Sequence, residues 1–155
     1  FIRLAREFAG NTEVRFVMIG RPSGDTYQET LDAEIEKTPN FTYLGEQPIK
    51  EVNRILARAH LFVNTSTYEG LPNTFVQAWM REVPVVCMLL DPDDILTQRK
   101  VGFYSGSFEH MVKDIRKLIE NPELRDEMGR RAREYALEHH SLEKNMGRLL
   151  DLIMA

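Results

Sequence analysis

Along the chain, short apolar runs alternate with longer stretches in which apolar positions recur every three or four residues. "VRFVMIG" (14–20), "FTYLG" (41–45), "HLFVN" (60–64), "VPVVCM" (83–88) and "VGFYS" (101–105) have the length and the aliphatic and aromatic content of strands. Helical periodicity covers 25–37, 49–59, 73–82 and 108–120. The chain opens in a further helical pattern, with Phe1, Leu4, Ala5 and Phe8 on one face. Strands that are apolar on both faces must be covered on both, so the alternation predicts an α/β fold built on a doubly wound, Rossmann-like parallel sheet.

The end of the chain breaks the alternation. "NPELRDEMGRRAREYALEHH" and "SLEKNMGRLLDLIMA" read as consecutive helices with no strand between them. Asn121 is placed to cap the first, with Pro122 at its first position, and Ser141 to cap the second. Terminal helices of this kind are expected to pack back across another domain. Residues 1–155 are read as a single domain, cut from a longer protein because the chain starts within a helix and without an initiator methionine.

One junction stands out. After "HLFVN", the stretch "TSTYEGLPN" leads into a helix whose apolar residues Phe75, Val76, Trp79, Met80 and Val83 should face the core. Ligands of open parallel sheets bind beyond the carboxyl ends of the strands. Amides of Asn73, Thr74 and Phe75 at the helix start, with the helix dipole, favour an anion by about 0.3–2 kcal/mol. Gly70 allows close backbone approach and Pro72 stiffens the entry to the helix. Glu69 would repel a phosphate, and its natural partners are hydroxyl groups. Gln77 lies one turn beyond Asn73, with Arg81 one turn further. An anion site beside a hydroxyl-binding carboxylate suits a sugar phosphate or nucleotide sugar, although an exposed acid and a solvated glutamine also account for Glu69 and Gln77.

Charge and composition narrow the alternatives. The net charge is -4 with basic and acidic residues interleaved, which gives no footprint for nucleic acid. No stretch approaches the roughly 20 apolar residues of a membrane span, and the first residues lack the basic, apolar and small-residue regions of a signal peptide, so a cytoplasmic location is expected. The single cysteine, Cys87, falls in an apolar run and reads as a buried, inert thiol. "IGRPSGD" (19–25) lacks the spacing of a dinucleotide-binding turn. His139 and His140 close a helix, where positive side chains suit the dipole, and have no partners at metal-ligand spacing. Arg130, Arg131 and Arg133 alternate with Glu127 and Glu134 as a solvated helix face.

At "EGLPNTFVQ" (69–77) the sequence resembles the C-terminal, donor-binding domain of retaining glycosyltransferases of the two-domain GT-B fold, in particular the GT4 family. These carry a glutamate, seven residues and a second glutamate across a strand, a proline-containing turn and a helix. The likeness extends through "RFVMIG", "FTYLGEQP", "REVPVV" and the helices that follow "GFYSGSFEH". The fold it implies is the C-terminal half of GT-B with additional C-terminal helices.

By that resemblance Glu69 is the catalytic-site residue that holds the donor sugar's hydroxyls. Gly70, Leu71, Pro72, Asn73 and Thr74 hold the pyrophosphate. Gln77 replaces the glutamate that binds the ribose, Gly45, Glu46 and Gln47 lie beside the base, and Gly20 lines the cleft. The implied reaction moves a sugar from a UDP- or GDP-sugar to an acceptor with retention, with no cofactor and no obligatory metal, as in polysaccharide or glycolipid biosynthesis.

The implied partners are the nucleotide sugar, an acceptor of unstated identity and an N-terminal domain that also carries any peripheral membrane association. Without that domain the chain is expected to be inactive. Where the family has a Gly-rich turn, this sequence reads "LLDPDDILTQRKVG", an acidic turn expected to repel phosphate. The family's basic pair for the pyrophosphate lies ahead of Phe1. A non-catalytic scaffold with a decayed site and a GT-B nucleotide-sugar epimerase are the competing readings.

Overall fold

The computed structural model describes residues 1–21 and 25–154, and of 25–30 the backbone alone. Pro22, Ser23 and Gly24 of the glycine-containing turn therefore lie outside the described residues. The chain divides into two compact units, Phe1–Arg54 and Ile55–Ala155. All strand pairs are parallel and every crossover between them carries a helix, which is the α/β class expected.

In the first unit, helix α1 (Ile2–Glu7) precedes strand β1 (Phe16–Met18), helix α2 (Asp25–Glu36) and strand β2 (Phe41–Tyr43). The two strands pair with Phe16 opposite Phe41. Both phenylalanines are buried with Leu4, Ala5, Phe8 and Leu31, and the Phe1 ring meets the rings of Phe16 and Phe41 edge to face. Such pairs add about 0.5–1.5 kcal/mol to the area they bury. Buried Thr38 donates to the Glu34 carbonyl and accepts from Arg6 Nε at 3.0 Å, so its hydroxyl is satisfied. Helix α3 (Ile49–Leu56) follows β2 and runs across the division between the units.

In the second unit, strands β3 (Phe62–Asn64), β4 (Val85–Cys87) and β5 (Gly102–Tyr104) form a sheet with β4 at its centre. All three residues of β4 are buried, as a central parallel strand requires. Val85 and Cys87 join Phe75, Ala78 and Trp79 of helix α4 (Asn73–Trp79), Leu96 of helix α5 (Ile95–Arg99), and Ala132 and Ala136 of helix α7 (Pro122–His139) in one core. Val86, one residue out of phase, points to the opposite face. Helix α6 (Phe108–Glu120) buries Met111, Val112, Ile115 and Leu118. Helix α8 (Leu142–Met154) buries none of its residues, leaving Leu142, Met146, Leu149, Leu150 and Ile153 exposed. No described helix is long and apolar enough to cross a membrane.

The periodicity located α6 at its full length, and Asn121 and Ser141 cap as expected, accepting from the amides of Leu124 (3.0 Å) and Lys144 (3.4 Å). Each strand is shorter than its apolar run, because the ladder extends only where a parallel partner lies opposite. Helix α3 stops at Leu56 rather than 59, its tail tightened into three-residue turns at Arg58 and Ala59. Helix α4 stops at Trp79 rather than 82: Glu82 is left-handed (φ 59), and Pro84 disfavours helix in the residue before it. The acidic stretch expected as a turn instead forms a 3-10 turn (Pro92–Asp94) and α5.

Candidate functional site

The loop between β3 and α4 gathers the residues singled out at 69–77. Asn64 ends β3 and is buried, because its register partner Cys87 and the strand alternation hold it against the sheet. Its Oδ1 accepts from the Ser66 amide at 2.7 Å, which starts the turn, and its Nδ2 lies 3.5 Å from Glu69 Oε1, the long limit of a hydrogen bond. Glu69 and Gly70 are exposed, and a Cβ at Gly70 would meet nothing within 4 Å, so the approach to the carboxylate is open. Leu71 packs against the core cluster and Pro72 is buried, which anchors the far end of the loop.

Pro72 is the N-cap of α4, in extended conformation (φ -66, ψ 133), and supplies no side-chain cap. The Phe75 amide, expected to face outward with those of Asn73 and Thr74, instead donates to the Pro72 carbonyl at 2.9 Å. This leaves the amides of Asn73 and Thr74, at the first two helical positions, directed away from the helix with the positive end of its dipole. Gln77 is half-buried on the next turn. Arg81, past the end of α4, reaches back through Nη1 to the Gln77 carbonyl at 2.8 Å, so the stripe Asn73, Gln77, Arg81 is tied at its lower end.

In the acidic stretch after β4, the first carboxylate is bound by the chain itself. Asp91 accepts from the Leu96 amide at 2.7 Å, the Thr97 amide at 3.2 Å and the Thr97 hydroxyl at 2.6 Å. Its charge is taken up at the start of α5, where a helix dipole favours it, while Asp93 and Asp94 stay exposed. Cys87 is buried, and burial pushes its thiol above the ordinary range, which keeps it protonated and inert as expected.

In the first unit, the loops after β1 and β2 are joined. The Gly20 amide donates to the Gly45 carbonyl at 2.9 Å, and Tyr43 Oη donates to the Gly20 carbonyl at 2.7 Å. Glu46 accepts from Arg21 through Oε2, at 3.0 Å from Nε and 2.5 Å from Nη2. Gln47 Nε2 turns back to the Leu44 carbonyl at 2.6 Å. The structure thus brings Gly20, Gly45, Glu46 and Gln47 together at the carboxyl ends of one strand pair. Arg21 and Asn64 were not foreseen. A buried asparagine at a strand end, just before a run of small polar residues, was the available signal for Asn64; nothing local marked Arg21.

His139 and His140 lie at the end of α7, where His140 is the C-cap and donates its amide to the Ala136 carbonyl at 2.8 Å. The His140 ring sits 6.4 Å from that of Trp79 and 5.8 Å from that of Tyr135. Burial, and next to it His139, lowers its pKa, so His140 is a neutral packing residue and not the positive cap expected for the dipole. Arg131 pairs with Glu127, and Arg133 with Glu82 at 3.2 Å, on the exposed face of α7.

The profile of glycosyl transferases group 1 matches residues 1–135. The chain belongs to that family. Among relatives of this glycosyl transferases group 1 domain, the poly(ribitol-phosphate) alpha-N-acetylglucosaminyltransferase of Staphylococcus aureus is 31% identical over 96 residues, covering 59% of the chain and 20% of the relative. The trehalose synthase of Thermococcus litoralis is 26% identical over 153 residues, covering 91% of the chain and 36% of the relative. Among solved structures, TarM superposes with a TM-score of 0.78 at 25% identity over 99% of the chain and 32% of TarM. Anabaena Alr3699/HepE, solved in complex with UDP, gives 0.82 at 17% identity over 97% of the chain and 44% of its own. The fold is that of the GT-B glycosyltransferases. The chain spans 38% and 36% of the length of the first two curated relatives it matches.

Proposed function

We propose that this chain is the donor-binding domain of a retaining glycosyltransferase, which holds a UDP- or GDP-sugar while the sugar passes to an acceptor hydroxyl and the nucleoside diphosphate leaves. The observation that carries the reading is the β3–α4 loop. It sets an open carboxylate, Glu69, a few residues before the outward amides of Asn73 and Thr74. A carboxylate accepts from hydroxyls, and paired amides at a helix start donate to a phosphate oxygen, so one loop suits both ends of a sugar phosphate. In this reading Glu69 positions the sugar, Gly70 to Thr74 take the pyrophosphate and Gln77 accepts from the ribose.

No metal is required, because the amides and the helix dipole stabilise the leaving diphosphate. The acceptor is contributed elsewhere in the full-length protein, and the isolated chain binds donor without turning it over. A cytoplasmic enzyme of cell-surface polysaccharide synthesis, membrane-associated through its other domain, fits this role. The scaffold reading keeps Gln77 and the acidic turn as its support, with Asp93 and Asp94 of that turn exposed.

Calorimetric titration with UDP, GDP, ADP and their glucose or N-acetylglucosamine conjugates, repeated on Glu69→Ala, tests this. The expected outcome is selective binding of one nucleotide, with the extra affinity from the sugar lost in the variant. Binding of none of them by the unmodified chain or the full-length protein would sink the reading in favour of a scaffold.

A further inference from the structure

The loop that carries Glu69 has little packing of its own to hold the carboxylate. Tyr68 is 92% exposed and Gly70 is exposed, while the loop is fixed at its ends, by Asn64 on β3 and by Leu71 and Pro72 before α4. A glutamate so placed has three rotatable side-chain bonds, and freezing them on binding costs entropy. A fixed partner for the carboxylate lowers that cost.

Asn64 is fixed twice over. Its backbone lies in the β3–β4 ladder opposite Cys87, where its carbonyl accepts from the Met88 amide at 3.0 Å, and its side chain is buried. The partners decide which way the side-chain amide turns: the Ser66 N–H can only donate, so Oδ1 meets it at 2.7 Å, and Nδ2 is left directed at the Glu69 carboxylate 3.5 Å away. A buried N–H without a partner loses its hydration for nothing, so Asn64 draws Glu69 toward the end of β3. The contact takes Oε1 and leaves Oε2 to accept from hydroxyls. Bonds of this kind are commonly long before substrate binds, and a shift of about 0.5 Å in the exposed carboxylate brings this one to the ordinary length.

We propose that Asn64 is a positioning residue for the transfer: anchored in the β3–β4 ladder and by the Ser66 amide, it aims the Glu69 carboxylate at the donor sugar. It thereby sets the affinity for the sugar moiety and leaves that for the nucleotide unchanged. This rests on the donor-binding reading and adds to it the residue through which β3 controls Glu69.

Two substitutions separate this role from the turn that Asn64 also holds. Asn64→Asp keeps an acceptor for the Ser66 amide and puts a second carboxylate beside Glu69, so like charges turn Glu69 away. Asn64→Ser keeps an acceptor for the same turn and removes the donor without adding charge. The test is calorimetric titration of the unmodified chain, both variants, Glu69→Ala and the combination of Glu69→Ala with Asn64→Asp, using UDP, UDP-glucose, UDP-N-acetylglucosamine, GDP and GDP-glucose. Circular dichroism and thermal melts check the fold.

Asn64→Asp is expected to weaken the preferred nucleotide sugar about tenfold and its free nucleotide not at all, and Asn64→Ser to give a smaller loss of the same kind. Adding Asn64→Asp to Glu69→Ala should cost nothing further, because the two residues act as one unit. An unchanged preference for the sugar conjugate in both variants, equal losses for nucleotide and conjugate, or a further loss in the combined variant would each overturn the positioning role and leave the donor-binding reading intact. Failure of both variants to fold would assign Asn64 to the turn alone and overturn it as well. No nucleotide binding by the unmodified chain or the full-length protein, or a sugar that adds no affinity, would overturn both.

Discussion

The α-carbon of Gly129, in the middle of α7, lies so close to the main chain of Glu82 that a Cβ there would stand 2.1 Å from the Glu82 carbonyl oxygen. This contact seats α7 against the end of α4, where Arg133 also meets the Glu82 carboxylate. In an unpacked helix, alanine would be favoured over glycine by about 1 kcal/mol. Here the backbone cannot yield as a flexible side chain would. Gly129→Ala is expected to destabilise the protein by about 1–3 kcal/mol. Urea denaturation measures it, and a stabilised variant would show that α7 does not pack this way.

Lys100 closes α5 with left-handed backbone angles (φ 54, ψ 42) and an exposed side chain. A Cβ is unfavourable in that conformation, and glycine adopts it freely. Lys100→Gly should therefore stabilise the fold, by about 0.5–1 kcal/mol after the entropy of the unfolded chain is counted. The change in melting temperature reads it directly, and a drop would argue against the left-handed cap.

Gln77 offers a neutral acceptor where the family carries a carboxylate. A neutral hydrogen bond is worth about 0.5–1.5 kcal/mol and a charge-assisted one about 1.5–3. Gln77→Glu is expected to tighten nucleotide binding roughly fivefold, with no gain for the free sugar. Equal affinities in calorimetry would remove Gln77 from the ribose site.

His140 is held neutral by burial against Trp79 and Tyr135, with its pKa lowered from the ordinary value of about 6.5. The unfolded chain then binds a proton more readily than the folded one, so stability falls as pH drops through the ordinary imidazole value toward the lowered one. Below the lowered value this contribution levels off. Thermal melts at pH 7.5 and 5 should show a smaller difference for His140→Gln than for the unmodified protein. An unchanged difference would assign the acid sensitivity elsewhere.

How much of this was legible in the sequence follows the range of the interactions. The alternation of strand-like and helical periods, the extent of α6, the caps Asn121 and Ser141, the core face of α4 and the burial of Cys87 depend on neighbours a few residues away. Periodicity and side-chain type encode such features, because burial of one face is settled turn by turn. The β3–α4 junction was legible for the same reason, since its carboxylate, proline and helix start are contiguous.

Tertiary structure decided what depended on distant partners or on competition for one group. Asp91 became a helix cap because α5 formed beside it. The Phe75 amide was taken by Pro72, which halved neither the dipole nor the outward amides of Asn73 and Thr74 but removed one expected donor. His140 became neutral because Trp79 and Tyr135 exclude water around it. Glu46 met Arg21 across 25 positions, and Glu82 met Arg133 across 51. Pairings at that separation arise only once strands and helices have packed, since the sequence specifies each side chain's chemistry while the fold selects which groups are close enough to use it.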